Sequence, residues 1–503
     1  MGTNTQNNIK NIIKNTVVTR FAPSPTGYMH IGNLRTALYA YLTARSHNGK
    51  FILRIEDTDR ERLVEDAVDV IYNTLRDANL KYDEGPDIGG PNGPYVQSER
   101  RDIYLQYARK LVESGHAYYC FCSKERLDKV HEAGSGYDRH CRDLSADETE
   151  KKLAAGESYV IRQRIPLSGS TSYVDEVFGT ISIDNCEIQD MVLLKCDGYP
   201  TYNFAHIVDD YLMGVTHVAR GCEYLTSTPA YALVYDAFGW ERPSYIHLPL
   251  IMGRNEDGSI SKLSKRHGSV SFQELLRDGY LPEAIINYIA FLGWSPKSLN
   301  KEAEGEFNQE IFSLDELSKY FRTDEINKSE AVFDFDKLLW FNGIYIRNLS
   351  LEDFISATMP YLKELEEQGL NLEKIASLIQ VRVEKLSEIP DKIAFFCRLS
   401  EFDNELYVNK KNKITQENAP EMLRQAITVL EQVETWKNDS LFVCLSGLAE
   451  RLGVKSGAVM WVVRIAVSGV AATPGGATEI LEILGRPESL KRLKSGYDRL
   501  INN

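Results

Sequence analysis

The first sixty residues alternate between short apolar runs and a helical pattern. Val17, Val18 and Thr19 are typical of the end of a β-strand, and from Gly32 onward apolar residues recur at the spacing of one helix face. A second apolar run, rich in β-formers, covers 50–56. Strand, helix and strand within about 40 residues make a βαβ unit. The pattern therefore predicts an α/β fold built on a doubly wound, Rossmann-like parallel sheet.

The pattern changes further along the chain. A helix is predicted from about 99 to 114, after a loop dense in Gly and Pro at 83–98. An inserted subdomain starts at 118–122, and the sheet pattern returns near Gly198. Thr58 or Asp59 is predicted to cap the helix after the second apolar run, and Thr226 to Thr228 to cap a helix opened by Pro229. We interpret His206 as a packed core imidazole. Beyond Leu281 periodic apolar helices dominate. The stretch 459–470 is apolar on nearly all sides and predicts a buried helix, closed by a glycine.

These changes predict five parts of the chain. They are a flexible tail at 1–16, a Rossmann-type domain at 17–115 and 191–255, an inserted α+β subdomain at 116–190, a helical domain with a lysine-rich loop at 256–335, and all-α domains at 336–503. At 503 residues the chain is long enough for each to have its own core.

Composition and charge are typical of a globular protein outside the membrane, but they do not identify a binding partner. Hydrophobic residues make up 43% and charged residues 26% of the chain, and no apolar run approaches the roughly 20 residues that span a bilayer. The Asn-rich first 16 residues do not resemble a signal peptide, so we expect a cytoplasmic protein without membrane contact. The net charge is −14, of which 331–503 carry only −3, with 21 Lys and Arg against 24 Asp and Glu. Because phosphate binding needs only a local basic face, this charge neither supports nor excludes RNA binding.

A first candidate site follows the first strand, at 20–35. Pro23 and Pro25 interrupt a regular ladder, and Gly27 permits a tight turn. His30 and Asn33 then fall at the N-terminus of the predicted helix. We expect that end to offer unpaired N–H groups and the positive end of the helix dipole to a phosphate. A proline-rich loop with one stray imidazole is the alternative.

A second candidate site lies about 230 residues later. The segment 261–267 reads Ser-Lys-Leu-Ser-Lys-Arg-His, in a region of Gly and polar residues after the apolar run 245–252. Its cations suit a polyphosphate, although a lysine-rich loop is also typical of a solvated surface.

Three of the eight cysteines cluster in the inserted subdomain. Cys120 and Cys122 flank one residue, and Cys141 lies 19 positions later. Three thiolates are three of the four ligands that tetrahedral zinc takes, and Tyr137 or His140 could supply the fourth. Three reduced cysteines without a metal remain the alternative, and a disulfide framework is not expected.

These motifs together resemble those of a known family. His-Ile-Gly-Asn at 30–33 and Lys-Leu-Ser-Lys-Arg at 262–266 resemble the two signature motifs of class I aminoacyl-tRNA synthetases. Arg-Phe-Ala-Pro-Ser-Pro-Thr-Gly at 20–27, Arg-Ile-Glu-Asp-Thr-Asp at 54–59, Tyr-Asn-Phe-Ala-x-x-Val-Asp-Asp at 202–210 and Leu-Thr-Ser-Thr-Pro at 225–229 are similar to the bacterial type of glutamyl-tRNA synthetase. The resemblance covers most of the chain, and the helical C-terminal region is similar to that family's anticodon-binding domains.

The resemblance implies ATP-dependent attachment of L-glutamate to tRNA(Glu) through a glutamyl-adenylate, by a monomer that uses Mg²⁺. It implies an acceptor-stem role for the insertion and a stem contact for the helical domain around the lysine loop. Tyr137 matches a Tyr-x-x-x-Cys pattern of some relatives, which favours it over His140 as a zinc ligand. The resemblance also assigns residues to the substrates. His30, Lys262 and Lys265 are expected to be catalytic; Gly32, Asn33 and Ser264 bind ATP with them; Arg20, Ser24, Glu56, Tyr202 and Arg220 bind glutamate. Asn33 replaces the second histidine of the first motif, so no second imidazole is available there.

Four other functions remain open at this point. A glutaminyl-tRNA synthetase shares the α/β core but normally has β-barrel anticodon domains, and a truncated relative that glutamylates queuosine lacks the anticodon region. A nucleotidyltransferase for a small substrate would leave the helical region unexplained. A non-catalytic RNA-binding protein would not need His30 together with both lysines of the loop.

Overall fold

The structure is a computed structural model that describes residues 16–59, 64, 66–132, 134, 136–297 and 309–502. Apart from Thr16, the predicted N-terminal tail lies outside these residues. The chain divides into two units, the first formed by 1–276 and 282–335 and the second by 277–281 and 336–503.

A six-stranded mixed sheet forms the centre of the first unit. Its strands, in spatial order, are β2 (Lys50–Leu53), β1 (Val18–Phe21), β8 (His217–Gly221), β9 (Ser244–Leu248), β5 (Ser170–Asp175) and β6 (Gly179–Asp184). The first four run parallel, and β5 joins β9 in parallel through one pair, Asp175 with Tyr245, before turning back into β6. The predicted Rossmann-like parallel sheet is confirmed.

The first helix packs on this sheet because it is apolar on most sides. In α1 (Ile31–Ser46) eleven of the sixteen residues are buried. Thr19 of β1 donates its hydroxyl proton to the carbonyl of Ala40, 2.7 Å away. Arg35 and Tyr39, on the same helix, donate to the Leu292 carbonyl. The helix is thus covered by the sheet on one side and by the segment around Leu292 on another.

Two three-stranded sheets complete the first unit. One has the order β3 (Ala117–Cys120), β4 (Val160–Gln163) and β7 (Val192–Leu194), and the other β11 (Ile260–Lys262), β10 (Ile251–Arg254) and β12 (Ala331–Phe333). The further helices are α2 (Ala67–Asp77), α3 (Arg101–Glu113), α4 (Lys124–Glu132), α5 (Ala146–Ala154), α6 (Tyr202–Leu212), α7 (Thr228–Phe238), α8 (Phe272–Arg277), α9 (Pro282–Ala290) and α10 (Leu314–Tyr320). The β5–β6 hairpin lies within 116–190 yet pairs with the central sheet, so the insertion and the core share a hydrogen-bonded edge.

The second unit is helical. Its helices are α11 (Phe335–Asn348, whose first residue belongs to the first unit), α12 (Leu351–Glu367), α13 (Leu372–Gln380), α14 (Ile389–Cys397), α15 (Ala419–Leu430), α16 (Asn438–Arg451), α17 (Ser456–Ser468) and α18 (Ala477–Asn502), which is interrupted at Gly485. The predicted buried helix is α17, and it ends at Gly469, which adopts a left-handed φ of 68°. The predicted all-α C-terminal region is confirmed. No helix in the described parts of either unit is long and apolar enough to cross a bilayer.

The prediction that Thr58 or Asp59 caps the helix after β2 depends on residues 60–63, which lie outside the described residues. The first helix described after β2 is α2, with Asp66 at its N-cap position. The residues after β2 stay extended because Glu56 N–H donates to Pro23 and Gln97 N–H donates to Ile55. The predicted cap of α7 is wrong, because neither threonine nor serine caps by its side chain, although the helix does begin next to Pro229 as predicted.

Candidate functional site

A cavity of about 1500 Å³ lies at the C-terminal ends of strands β1, β8 and β9. Ligands of open α/β sheets bind at this edge. Every residue that the sequence assigned to ATP or glutamate lines this one cavity: Arg20, Ser24, His30, Gly32, Asn33, Glu56, Tyr202, Arg220, Lys262, Ser264 and Lys265. The first motif and the lysine loop, although far apart in sequence, therefore meet in space.

His30 caps the first helix. Its Nδ1 accepts a hydrogen bond of 3.0 Å from the Gly32 N–H, so in the neutral ring the proton is on Nε2. A side chain at position 32 would bring its Cβ to 3.3 Å from Nδ1 of this ring, which is a tight contact. Burial, and the nearby charge of Lys262, lower the pKa of His30. The imidazole is therefore a neutral hydrogen-bond donor at pH 7.

The expectation of unpaired N–H groups at this helix end is wrong. The Ile31 N–H donates to Val270, the Gly32 N–H to the His30 ring, and the Asn33 N–H to the His30 carbonyl. The cause is tertiary, because His30 forms a β-bridge with Ser271, just after the lysine loop. A phosphate at this end of the helix can therefore interact with the helix dipole and with the exposed Asn33 side chain, but not with these three N–H groups.

In the lysine loop, 261–267, the two lysine side chains are exposed and the backbone is held by hydrogen bonds to His267. Lys262 ends β11, and Lys265 begins a short 3₁₀ turn; both side chains are exposed. His267 accepts at Nδ1 from the Ser264 N–H, 3.0 Å away, while its Nε2 lies 2.9 Å from Oδ1 of Asn255. The imidazole thereby holds the loop in shape without touching either lysine's ammonium group.

A buried network of arginines and carboxylates lies beside the cavity, and Arg20 and Glu56 of this network line it. Arg54, fully buried, donates to Asp210 at 2.8 Å and to Glu56 at 2.9 Å, while Arg20 donates to Asp210 at 3.1 Å. Although burial alone raises the pKa of a carboxyl, Arg20 and Arg54 lower that of Asp210 to about 2. Burial raises the pKa of Glu56, and the charges of Arg54 and Arg20 oppose that shift. Asp209 completes the network by accepting from Arg100 at 2.7 Å.

Arg220 differs from Arg20 and Arg54, each of which is paired with a carboxylate. Arg35 also lines the cavity, is buried and has no carboxylate within ion-pair distance among the described residues, but its guanidinium donates to the backbone carbonyls of Leu292 and Pro249.

The Arg220 side chain is 4% exposed, and among the described residues no carboxylate lies within ion-pair distance of it. Nε donates to Nε2 of His247 at 3.1 Å, Nη2 donates to the Thr228 hydroxyl at 2.6 Å, and Nη1 lies 3.5 Å from Nε2 of His206. A buried guanidinium whose partners are all neutral is poised for an anion from outside the protein.

His206 is buried, as the sequence predicted for a core imidazole. Its Nδ1 lies 2.7 Å from the Tyr202 carbonyl, and its ring stacks on that of Tyr202. Burial, reinforced by the charge of Arg220, lowers the pKa of His206 to about 3. Tyr202 itself stands in the first turn of α6, where its ring faces the cavity beside Tyr224.

Sequence reasoning missed four residues that shape this site. Arg54 and Asp210 lie within the quoted motifs, and their signal was a charged side chain inside an otherwise apolar run. His247 and Asp175 had weaker signals, because each is the one imidazole or carboxylate of a short strand and belongs to no quoted motif.

The three predicted cysteine ligands come together in the insertion. The sulfur atoms of Cys120, Cys122 and Cys141 all lie within 4.8 Å of one another, and Cys122 is 3.5 Å from Cys141. Sulfurs on a tetrahedral zinc ion stand about 3.8 Å apart, since each Zn–S bond is about 2.3 Å long. The Tyr137 hydroxyl is 3.2 Å from the Cys120 sulfur, whereas His140 is exposed. The donor set therefore fits zinc, with Tyr137 rather than His140 beside it.

The comparisons with known proteins agree with this geometry. The family model described as "tRNA synthetases class I (E and Q), catalytic domain" matches residues 16–340, and the model described as "Anticodon binding domain" matches 353–497. The fold and the cavity are those of a class I aminoacyl-tRNA synthetase.

Relatives narrow the class further. The chain is 55% identical to "Glutamate--tRNA ligase" of Clostridium botulinum and 54% identical to that of Clostridium tetani, in each case over 97% of this chain and 99% of the relative. It matches the crystal structure of a glutamate tRNA ligase from Elizabethkingia meningosepticum, in complex with its amino acid, with a TM-score of 0.86 and 34% identity, over 96% of this chain and 100% of that one. The chain belongs to the glutamate–tRNA ligase family.

Proposed function

We propose that this protein ligates L-glutamate to tRNA(Glu) in an ATP-dependent reaction, through a glutamyl-adenylate and with release of AMP and pyrophosphate. The observation that carries the proposal is Arg220, a buried cation with no carboxylate partner among the described residues, in the same cavity as His30 and the lysine loop. Membership of the glutamate–tRNA ligase family supports the same reaction.

The amino acid has complementary groups in the cavity. Arg220 and Arg20 pair with its two carboxylates, which a diacid has and a neutral amino acid lacks. A guanidinium suits this task because it binds a carboxylate through two parallel hydrogen bonds. Glu56 receives the ammonium group, and the hydroxyl groups of Ser24 and Tyr202 donate further hydrogen bonds.

ATP lies between the two motifs. His30, Gly32 and Asn33 face its phosphates from the helix end, and Lys262, Ser264 and Lys265 face them from the loop. The glutamate α-carboxylate attacks the α-phosphorus, the bond to the β-phosphate oxygen breaks, and pyrophosphate leaves. A terminal ribose hydroxyl of the tRNA then attacks the activated carbonyl and displaces AMP.

Catalysis in this scheme is positioning and electrostatic stabilisation. The attack builds negative charge on a five-coordinate phosphorus, and no protein nucleophile is required. The neutral His30 donates a hydrogen bond to that charge, and Lys262 and Lys265 neutralise the leaving pyrophosphate. Both residues line the cavity and their side chains are exposed, so their ammonium groups can reach phosphates bound there.

Two metals belong to the proposal. Mg²⁺ would neutralise charge on the ATP phosphates. Structural Zn²⁺ would be held by Cys120, Cys122, Cys141 and Tyr137 and would tie β3 to the loop after α4. We further propose a monomer that works in the cytoplasm, with tRNA contacts from the insertion at 116–190, from 256–335 and from the helical domains at 336–503.

The test is ATP–pyrophosphate exchange with glutamate and with glutamine, each with and without tRNA. We expect exchange with glutamate in the presence of tRNA(Glu), and none with glutamine. Exchange that ignores tRNA and accepts another small acid would indicate a nucleotidyltransferase, and the absence of exchange beside tight tRNA binding would indicate an RNA-binding protein. Exchange with glutamine in preference to glutamate would contradict the assigned substrate.

A further inference from the structure

Behind Arg220 lies a second row of polar side chains that does not line the cavity. Nδ1 of His247 is 2.7 Å from Oδ2 of Asp175, and both side chains are fully buried. The same oxygen accepts from the His247 backbone N–H at 3.1 Å. Oδ1 accepts from the N–H groups of Val177 and Phe178, at 3.0 and 2.8 Å. Asp175 thus holds four donors and is firmly anchored.

This anchoring decides which nitrogen of His247 carries the proton. Because Asp175 accepts from Nδ1–H, the Nε2 atom keeps its lone pair and accepts from Nε–H of Arg220, 3.1 Å away. Burial lowers the pKa of His247, which keeps the ring neutral. The Thr228 hydroxyl donates to the Tyr224 carbonyl at 2.7 Å and therefore accepts from Nη2 of Arg220.

The consequence concerns charge. A carboxylate placed directly against Arg220 would orient the guanidinium equally well but would neutralise it before any substrate arrived. The His247 imidazole, which lies between Asp175 and Arg220, is oriented by Asp175 and in turn orients the guanidinium. Because the imidazole is neutral, the positive charge of the guanidinium stays available. Among the other buried arginines near the site, Arg20, Arg54 and Arg100 are each paired with a carboxylate, and Arg35 donates to two backbone carbonyls.

We infer that His247 and Asp175 are positioning residues that fix the fork of Arg220 and keep its charge available for a carboxylate of the amino acid substrate. This inference rests on the proposed role of Arg220 in glutamate binding. It also gives the β5–β6 hairpin a function, because Asp175 is the one residue through which β5 pairs with the parallel sheet. The hairpin edge is thereby coupled to amino acid specificity.

The test compares two variants of nearly equal shape, His247→Gln and His247→Glu, by ATP–pyrophosphate exchange in the presence of tRNA. Gln can accept from Arg220 and is neutral, so we expect a rise in the glutamate KM of only a few-fold. Glu places a carboxylate on the guanidinium, so we expect a rise of about 100-fold or more. The KM for ATP should stay within about twofold in both variants, and the preference for glutamate over glutamine should fall in His247→Glu.

Asp175→Asn is the second variant. Asp175 accepts with both oxygens, whereas the Asn amide has one oxygen and one NH₂ group, so the NH₂ group must face either His247 or the two backbone N–H groups. We expect a rise of about tenfold in the glutamate KM with the ATP KM unchanged. The control is His217→Gln, at the opposite end of the strand that carries Arg220, where no change in either KM is expected.

Equal effects of His247→Gln and His247→Glu, or parallel rises of both KM values, would overturn the inference and indicate a role in packing only. The Arg220→Ala variant distinguishes failure of this positioning inference from failure of the proposed function. If that variant leaves the glutamate KM unchanged, Arg220 does not bind the substrate. If it raises the glutamate KM while the His247 and Asp175 variants do not, only the positioning inference fails.

Discussion

At the scale of single residues, the site is organised by which buried charges have a partner of opposite sign. Arg20 and Arg54 share Asp210, and Arg54 also pairs with Glu56. Charges buried in this way are stable because each is compensated and hydrogen-bonded. Arg220 has no such partner among the described residues, and its hydrogen bonds to imidazoles and a hydroxyl leave its charge available for a substrate carboxylate.

The first prediction concerns the geometry of Arg220. Arg220→Lys keeps the charge but cannot donate to His247, Thr228 and a substrate carboxylate together, so we expect the glutamate KM to rise by at least about tenfold. Arg322→Lys, in an exposed pair with Asp324, is the matched control and should behave like the wild type. Steady-state charging of tRNA at varied glutamate concentrations measures both, and an unchanged KM in Arg220→Lys would argue that only charge matters there.

The second prediction follows from the lowered pKa of His206. The folded protein keeps this ring neutral down to about pH 3, whereas the ring in the unfolded chain takes a proton below its ordinary value of 6.5. Stability is therefore fully present above pH 6.5 and is lost as the pH falls towards 3. Between pH 7 and pH 5 the loss is about 2 kcal/mol.

Urea unfolding of the wild type and of His206→Asn at both pH values tests this point. The wild type should lose more stability on acidification than the variant. An identical loss in the two proteins would mean that other groups, such as His30 and His247, account for the pH dependence.

At the scale of elements, local rules explain the helices of the second unit well. Gly469 ends α17 in a left-handed conformation that only glycine adopts without strain, and a Cβ there would come within 2.6 Å of the Phe402 ring. Gly447 lies inside α16, where a Cβ would meet no atom within 4 Å.

These two glycines make a matched pair for the third prediction. Gly469→Ala should destabilise the second unit by about 1–2 kcal/mol, through backbone strain and contact with Phe402. Gly447→Ala should stabilise it by up to about 1 kcal/mol, because alanine favours a helix interior. Thermal unfolding followed by circular dichroism measures both shifts, and shifts of the same sign would contradict the assignment of Gly469 as a helix-terminating residue.

The fourth prediction concerns the loop that carries the cysteines. Wild-type protein should contain about one zinc ion per chain by atomic absorption, and Cys141→Ser should contain almost none, because loss of one thiolate weakens the site strongly. Cys186→Ser is the control, since Cys186 is an exposed thiol in the same insertion. Wild-type protein without zinc, after purification free of chelators, would show that the three thiols remain metal-free.

For the molecule as a whole, the question is how a protein with a negative net charge binds a negatively charged nucleic acid. The chain has 58 Lys and Arg against 72 Asp and Glu. Binding to tRNA depends on the local release of counterions at basic side chains and not on this sum.

The fifth prediction is therefore a steep salt dependence. The Kd for tRNA(Glu) should rise by at least about tenfold between 50 and 200 mM salt, despite the net charge of −14. Fluorescence anisotropy with labelled tRNA measures it, and the glutamate KM over the same range is the control for general salt effects. A Kd that is independent of salt would indicate recognition without phosphate contacts.

The sequence and the tertiary structure contributed different parts of this picture. Periodicity was enough for the βαβ start, for α1 and for the buried helix α17, because the side-chain spacing of each is a local property. The motifs were enough to select His30, Lys262 and Arg220 as candidates, since their residue types point to phosphate and carboxylate. Local rules failed at the cap predicted near Thr228, because its hydroxyl donates to the Tyr224 carbonyl and accepts from Arg220.

Local patterns and motifs were sufficient to identify the family, the fold class and the candidate ligand groups. The pairing of the buried charges is a property of the tertiary structure. Arg54 meets Asp210 across 156 residues, and Asp175 meets His247 across 72. The physical reason is that sheet register and the docking of the β5–β6 hairpin set these distances, and neither follows from the residues of any single element.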